Sequence, residues 1–450
     1  MQGRSFEAAS VLLLTALIAT GVAVAATLSP LLALGATGAL LILSLVVLNA
    51  QVVLLALVAA FPWDDALGFP TQTVSVVKLL GALALIAFLY RAVTRPEPLR
   101  LPGTLASVSV FVSLVLLSVL TSPAPQDSIA KALRYVSFAI FFFVFIQLVR
   151  SPAQIRRAVR VLVMSTAAAA VAGLVLFLQG HRRLAGGPVG DPNDFAFLLM
   201  TMLPLAVYLM VVDRGRRWFW GVCCLLMLAA VLGTLSRGAL VGAAALLLWA
   251  LGTRRLPVTR VLAAIGVALG VLVLGLTLWR PLIDERLQAK GRIAHTNIES
   301  RQALWLAAIR MAGDRPVTGV GPGRFGTESP QYLVNEPLGL ENPVVHNSYL
   351  EILAECGLGA LAAFVMFLVG TWRLARRAQA RGVSDGDDDA RRLALAVQAS
   401  LVVGIASACF LSVQIAAPFW LLGGLAVVVN ASFAERSVTV RARPRVAPAV

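Results

Sequence analysis

Apolar runs long enough to cross a bilayer recur from end to end of the 450-residue chain. They lie near 11–28, 31–48, 51–62, 73–90, 103–121, 132–149, 158–179, 193–212, 217–234, 238–252, 258–279, 348–372, 393–411 and 415–433. A hydrocarbon core of about 30 Å takes roughly 20 helical residues, and a backbone crossing it must satisfy its own hydrogen bonds. Solid apolar runs fit helices, whereas barrel strands would alternate and be about 10 residues long. The third run is short, and the first three could be two spans and a re-entrant piece. An all-α, polytopic transmembrane bundle of twelve to fourteen spans is therefore expected.

Composition agrees: 59% of residues are hydrophobic and 13% charged, and mean hydropathy is +0.86. A soluble chain would carry roughly twice that charge. The net charge of +16 raises nucleic acid as a partner, but the arginines sit in short turns between apolar runs, so no nucleic acid is expected. Cys223, Cys224, Cys356 and Cys409 lie in or beside those runs and read as small core residues rather than a disulfide framework. The N-terminus has one early arginine and then an apolar run, but no small-residue cleavage site followed by a soluble domain, and so reads as a first span or uncleaved anchor.

Arginine clusters mark every second turn: 91–100, 150–160, 214–217, 254–260, 373–392 and 436–445. Under the positive-inside rule these turns and both termini are cytoplasmic. The alternate loops, 63–72, 122–131, 180–192, 235–237, 280–347 and 412–414, then face outward. The expected divisions are an N-terminal transmembrane bundle (1–279), a periplasmic loop (280–347), C-terminal transmembrane helices (348–435) and a disordered cytoplasmic tail (436–450). The loop 280–347 is far longer than ordinary connections. Within it, Glu299 to Ala312 places apolar residues at helical spacing, which predicts an amphipathic helix against the outer leaflet or the bundle.

The polar groups that stand out are on that outward side. His346-Asn347-Ser348-Tyr349-Leu350-Glu351 sits where the long loop re-enters the membrane. Asn347 or Ser348 can cap the next helix, with Glu351 completing a capping box. An imidazole held at the water boundary suits a general base, while a plain cap or loop contact is the competing reading. Arg237, in Ser236-Arg237-Gly238, lies between two apolar runs at a helix start, where guanidinium and amides together favour phosphate oxygens. An arginine snorkelling to headgroups is the alternative. Arg301 and Arg324 could reach the same anion, or be solvated. The turn from His181 to Phe195 carries Arg182, Arg183, Asp191 and Asn193; Asp191 or Asn193 reads as an N-cap, with acceptor binding as the other role. His181 and His295 read as loop histidines. Asp387-Asp388-Asp389 reads as a solvated loop, and Asp64-Asp65 has no converging ligands, so neither metal nor cofactor is expected.

Taken in order, Gly190-Asp191-Pro192-Asn193-Asp194-Phe195-Ala196, Ser236-Arg237-Gly238-Ala239, Ser300-Arg301-Gln302-Ala303-Leu304-Trp305, Gly319-Val320-Gly321-Pro322-Gly323-Arg324-Phe325 and His346 to Glu355 resemble the O-antigen ligase and polymerase superfamily. The resemblance is best over residues 185–370. It implies a GT-C-like membrane glycosyltransferase of the bacterial inner membrane, with a glycan on undecaprenyl diphosphate as donor and an active site at the periplasmic face. The family's arginines map to Arg237 and Arg301, which would hold the diphosphate, and its histidine to His346, the base; Arg324, Asp191, Asn193, Asn347, Arg182 and Arg183 would line the substrates. Direct attack implies inversion without a metal. The implied acceptor is lipid A–core oligosaccharide for a ligase, or a second carrier-linked glycan for a polymerase; a third kind of relative uses a protein hydroxyl. A flippase is the rival of another class, expected to show midplane ionisable residues and inverted repeats.

Overall fold

The computed structural model describes residues 49–64, 66, 76–179, 189–253, 300–333 and 343–441, with single helical positions at 259, 266, 270, 273 and 277, and side chains as far as 432. The described residues form thirteen α-helices: α1 Ala50–Ala60, α2 Val76–Thr94, α3 Gly103–Leu120, α4 Pro125–Leu148, α5 Pro152–Leu178, α6 Pro192–Val212, α7 Arg217–Thr234, α8 Arg237–Gly252, α9 over 300–314, α10 Phe325–Glu328, α11 Ser348–Ser384, α12 Asp388–Ser407 and α13 Ala417–Arg441. Eight are long and apolar enough to cross a membrane, and α1, α8 and α13 are shorter apolar helices. These eleven coincide with eleven of the apolar runs read from the sequence. Of the other three runs, 11–28 and 31–48 lie outside the described residues, and so does 258–279 apart from the helical positions 259, 266, 270, 273 and 277. The chain is a multi-pass membrane protein.

Local chemistry sets the helix starts. Pro125, Pro152 and Pro192 each begin a helix, where a missing N–H costs nothing. Ser151 and Gln154 form a capping box on α5. Asp387 caps α12, and Asp389 accepts from Arg156 at 2.7 Å and from the Tyr208 hydroxyl at 2.6 Å. The carboxylate run expected to be solvated is instead a cap and a clamp between α5, α6 and α12. Likewise Asp64 pairs with Arg134 at 3.5 Å, while Asp65 lies outside the described residues.

The arginine clusters at 91–100, 150–160, 214–217 and 373–392 gather at one end of the bundle. Arg100 and Arg150 bond the backbone at 149 and 98, Arg160 pairs with Asp213, and Arg381 reaches Asn430. Between the ends runs an aromatic core in which Phe111, Tyr135, Phe138, Phe364, Phe367 and Trp420 meet ring to ring. Lipid offers little hydrophobic drive between helices, so close approach decides packing. Here a methyl on Gly423 would fall 2.5 Å from Phe367, and one on Gly424 2.7 Å from Phe145, so the pair lets α13 lie directly on α4 and α11.

Two elements depart from simple spans. From Ala50 to Trp63 the chain covers roughly 20 Å at 1.5 Å per residue, short of the bilayer core. Gln51 bonds Leu148 at the arginine-rich end, and Trp63 donates to Ser165, near the middle of α5. This is a half-span. The second is α11, whose helix is interrupted at Gly357 (φ 82°, ψ 175°). Nine residues, 348–356, precede the break, and the span proper follows it.

Candidate active site

The end opposite the arginine clusters is built from helix starts. Asp191 Oδ1 accepts from the amides of Asn193 (2.7 Å) and Asp194 (3.1 Å), capping α6. Ser236 Oγ accepts from Ala239 N to cap α8 and donates to Asn193 Oδ1 at 2.9 Å. The first turns of α6 and α8 are thus tied side by side. Ser407 Oγ donates to the Gly238 carbonyl. The α12–α13 turn, in its turn, accepts from the start of α11, Ser348 N to Ala408 O (2.9 Å) and Ser348 Oγ to Leu411 O (2.7 Å). Asn347 Oδ1 accepts from Tyr349 N and Leu350 N. Asn347 is therefore the cap of α11. The capping box expected on Ser348 and Glu351 is not formed, because Ser348 is spent on the neighbouring turn and Glu351 faces Lys131.

The long loop completes this end. α9 buries Leu304, Ala308 and Met311 against Val320, Phe325, Val345 and Ala354, so its apolar stripe faces the protein. Trp305 Nε1 donates to the Val345 carbonyl at 3.0 Å, joining α9 to the residue before His346. The Gly319–Gly323 turn caps the end of the 348–356 segment: Val320 N donates to Ala354 O and Gly321 N to Glu355 O. Gly319 has φ +67°, and a methyl there would lie 2.3 Å from the Glu355 backbone; only glycine fits.

Arg237, Arg301 and His346 come together on this frame. Arg237 is the first residue of α8 and is exposed, and Arg301 lies in the first described turn of α9. Cations at helix N-termini oppose the helix dipole, an arrangement that favours an anion between them. Burial, then the nearby charge of Arg237, lowers the Arg301 guanidinium from its ordinary value. Arg301 Nε is buried without a hydrogen-bond partner among the described residues. Burial and then Arg301 lower the His346 imidazole below its usual range, with Asp191 and Glu351 pulling the other way. Each of the three groups is within electrostatic reach of the next. The backbone is bent for it as well. Among the described residues, Leu235 (φ 51°) and His346 (φ 52°) are the non-glycine residues with positive φ. Such strain costs roughly 1–3 kcal/mol and persists where surroundings over-determine it.

Not every candidate joins. Arg324 is taken up by Asp127 (2.6 Å) and Glu328 (2.5 Å), which ties the loop to α4. Arg182, Arg183, His181 and His295 lie outside the described residues. The sequence reading missed Lys131, whose Nζ donates to Glu351 (2.5 Å) and to Glu355 (2.8 Å). Nothing local announces pairs separated by 220 and 224 residues.

No curated protein matches the chain. Residues 222–365, which run from α7 through the long loop into α11 and contain Arg237, Arg301 and His346, match the family model described as O-antigen ligase (Wzy_C), so this part of the chain is similar to an O-antigen ligase domain.

Proposed function

We propose that the protein is an inverting glycosyltransferase that moves a glycan from undecaprenyl diphosphate to an acceptor hydroxyl, with lipid A–core oligosaccharide as acceptor. The observation that carries this reading is the grouping of His346, Arg301 and Arg237 at helix starts on one end of a membrane bundle. The positive-inside rule makes the arginine-rich end cytoplasmic, so the reaction faces the periplasm of the inner membrane and both termini are cytoplasmic. The donor's lipid lies in the bilayer and its diphosphate meets Arg237 and Arg301. Two neighbouring guanidiniums suit an anion of more than one charge.

In the reaction the acceptor oxygen attacks the anomeric carbon as the bond from that carbon to the diphosphate oxygen breaks. The acceptor proton passes to the imidazole of His346, and the pair of electrons leaves with undecaprenyl diphosphate, whose charge the arginines stabilise. One displacement inverts the anomeric centre, and no step calls for a metal or a cofactor.

The test is transfer by protein reconstituted in liposomes with purified carrier-linked glycan and lipid A–core. Wild type should make the joined product, and His346→Ala and Arg237→Ala should each make it at least about a hundredfold more slowly, while both still insert. A deletion strain read by lipopolysaccharide gel separates the acceptors: core alone marks a ligase, a single repeat on core marks a polymerase, and an unchanged ladder points to a protein acceptor. Full turnover by His346→Ala would remove the base assignment.

A further inference from the structure

Under the first turns of α11 lies a buried charged cluster that the transfer chemistry leaves unused. Lys131, from the start of α4, places its ammonium between two carboxylates, 2.5 Å from Glu351 and 2.8 Å from Glu355. The glutamates are four residues apart and so share one face of the helix. That helix, 348–356, begins two residues after His346. Glu355 Oε1 also accepts from Phe325 N at 3.2 Å, and the Glu355 carbonyl accepts from Ser118 Oγ at 2.7 Å. The cluster therefore joins α3, α4, the glycine turn and the helix behind His346.

It is not built for stability alone. Buried ion pairs barely offset their desolvation, and native proteins satisfy nearly all buried polar atoms. Here two carboxylates face one ammonium. The Tyr135 hydroxyl, one turn along α4 from Lys131, is buried without a hydrogen bond among the described residues, and Ser412 and Gln414 bring further polar groups against Glu351. An arrangement that costs stability and stays in place is expected where it serves function.

We propose that Lys131 is a positioning residue for the transfer reaction: by holding Glu351 and Glu355 together it fixes the 348–356 helix and so sets where the His346 imidazole stands relative to Arg301 and Arg237. This rests on the glycan-transfer reading of the site. His346 is held from both sides. Ahead of it Trp305 holds the Val345 carbonyl, and behind it Ser348 is locked to the α12–α13 turn, accepting from Val413 N as well. Those bonds fix the first residues of the helix, and Lys131 fixes the rest. Without it the short helix, cut from the span at Gly357, has lost its anchor to α4.

The test uses full-length protein in lipid nanodiscs, comparing wild type with Lys131→Met, Lys131→Arg and the uncharged Lys131→Met/Glu351→Gln/Glu355→Gln, which leaves no buried carboxylate without its cation. Two measurements are made. Amide hydrogen exchange reads the helix without any chemistry: Lys131→Met and the triple variant should exchange faster over 345–356 and remain protected in α3 and α6. Transfer kinetics read the imidazole: kcat should fall about a hundredfold, as a displacement of about 1 Å costs, with KM for carrier-linked donor within about threefold and substantial recovery in Lys131→Arg. Unchanged exchange over 345–356, or kcat within about threefold of wild type in the triple variant, overturns the proposal. A parallel loss of kcat, donor affinity and melting temperature assigns Lys131 to stability and overturns it too. If wild type transfers no glycan, the proposed function fails, and the exchange measurement still decides whether Lys131 holds the helix.

Discussion

At His346 the environment and the chemistry meet in a single titration. In the proposed reaction the imidazole acts as base in its neutral form, and burial beside Arg301 lowers its pKa below the ordinary value of about 6.5. The neutral form then survives to lower pH than a free histidine would allow. Activity should fall only as pH drops through that depressed value, so the acid limb of kcat/KM lies below about 6.5. Bound diphosphate brings negative charge beside the ring and raises its pKa, so the limb in kcat should sit at higher pH than the limb in kcat/KM. A pH series of initial rates checks both; a kcat/KM limb above about 6.5 contradicts the assignment. The arginines predict a second pattern. Arg237→Ala and Arg301→Ala should each lower kcat/KM by about 10²–10³, and together by less than the product, since both act on one diphosphate. Arg301→Lys should recover only part, because one ammonium cannot bridge two oxygens.

His346 and Arg237 were legible in the sequence because each is a polar group at the edge of an apolar run, and Arg301 because it heads the amphipathic helix of the loop. Their backbone was not: no pattern signals that His346 and Leu235 adopt positive φ, since tertiary contacts impose it.

Among the elements, the break in α11 divides the short helix that follows His346 from the helix long and apolar enough to cross the bilayer. Hydropathy cannot show it, because apolar residues continue on both sides of Gly357. A methyl there would lie 2.2 Å from the Val317 carbonyl, in a backbone conformation that L residues rarely adopt. Gly357→Ala should therefore destabilise the protein by more than about 1 kcal/mol, read as a lower melting temperature in detergent. It should also impair transfer, because Leu358 N loses its bond to Pro316 O. The amphipathic helix of the loop was legible from its spacing and appears over 300–314, but which surface its stripe covers depends on Val320, Phe325, Val345 and Ala354, which the spacing does not reveal. The half-span α1 was visible only as a run too short to cross.

Over the whole molecule the two ends have separate tasks. The arginine-rich end is tied by surface-exposed clamps such as Arg156–Asp389, each worth at most about 1 kcal/mol. Asp389→Asn should lower the melting temperature by a few degrees at most and leave kcat unchanged, as thermal scans and transfer assays on the same preparation will show. A fall in kcat there would mean that the ends communicate. The bundle was readable as a whole because membrane solvation imposes length and hydropathy on every span; what ties together the end opposite the arginines was not, since Asn193–Ser236 and Lys131–Glu355 join residues far apart in the chain.

The interruption at Gly357 has a mechanical result. Spans tilt to match bilayers of different thickness, and an unbroken α11 would swing His346 with every such adjustment. With a joint at Gly357, and the short helix moored to the loop and to α3 and α4 instead, the span can lean while the imidazole keeps its station. Turnover should then vary little across lipids of short and long acyl chains, a tolerance useful to an enzyme whose own substrates are lipids that disturb the membrane around it.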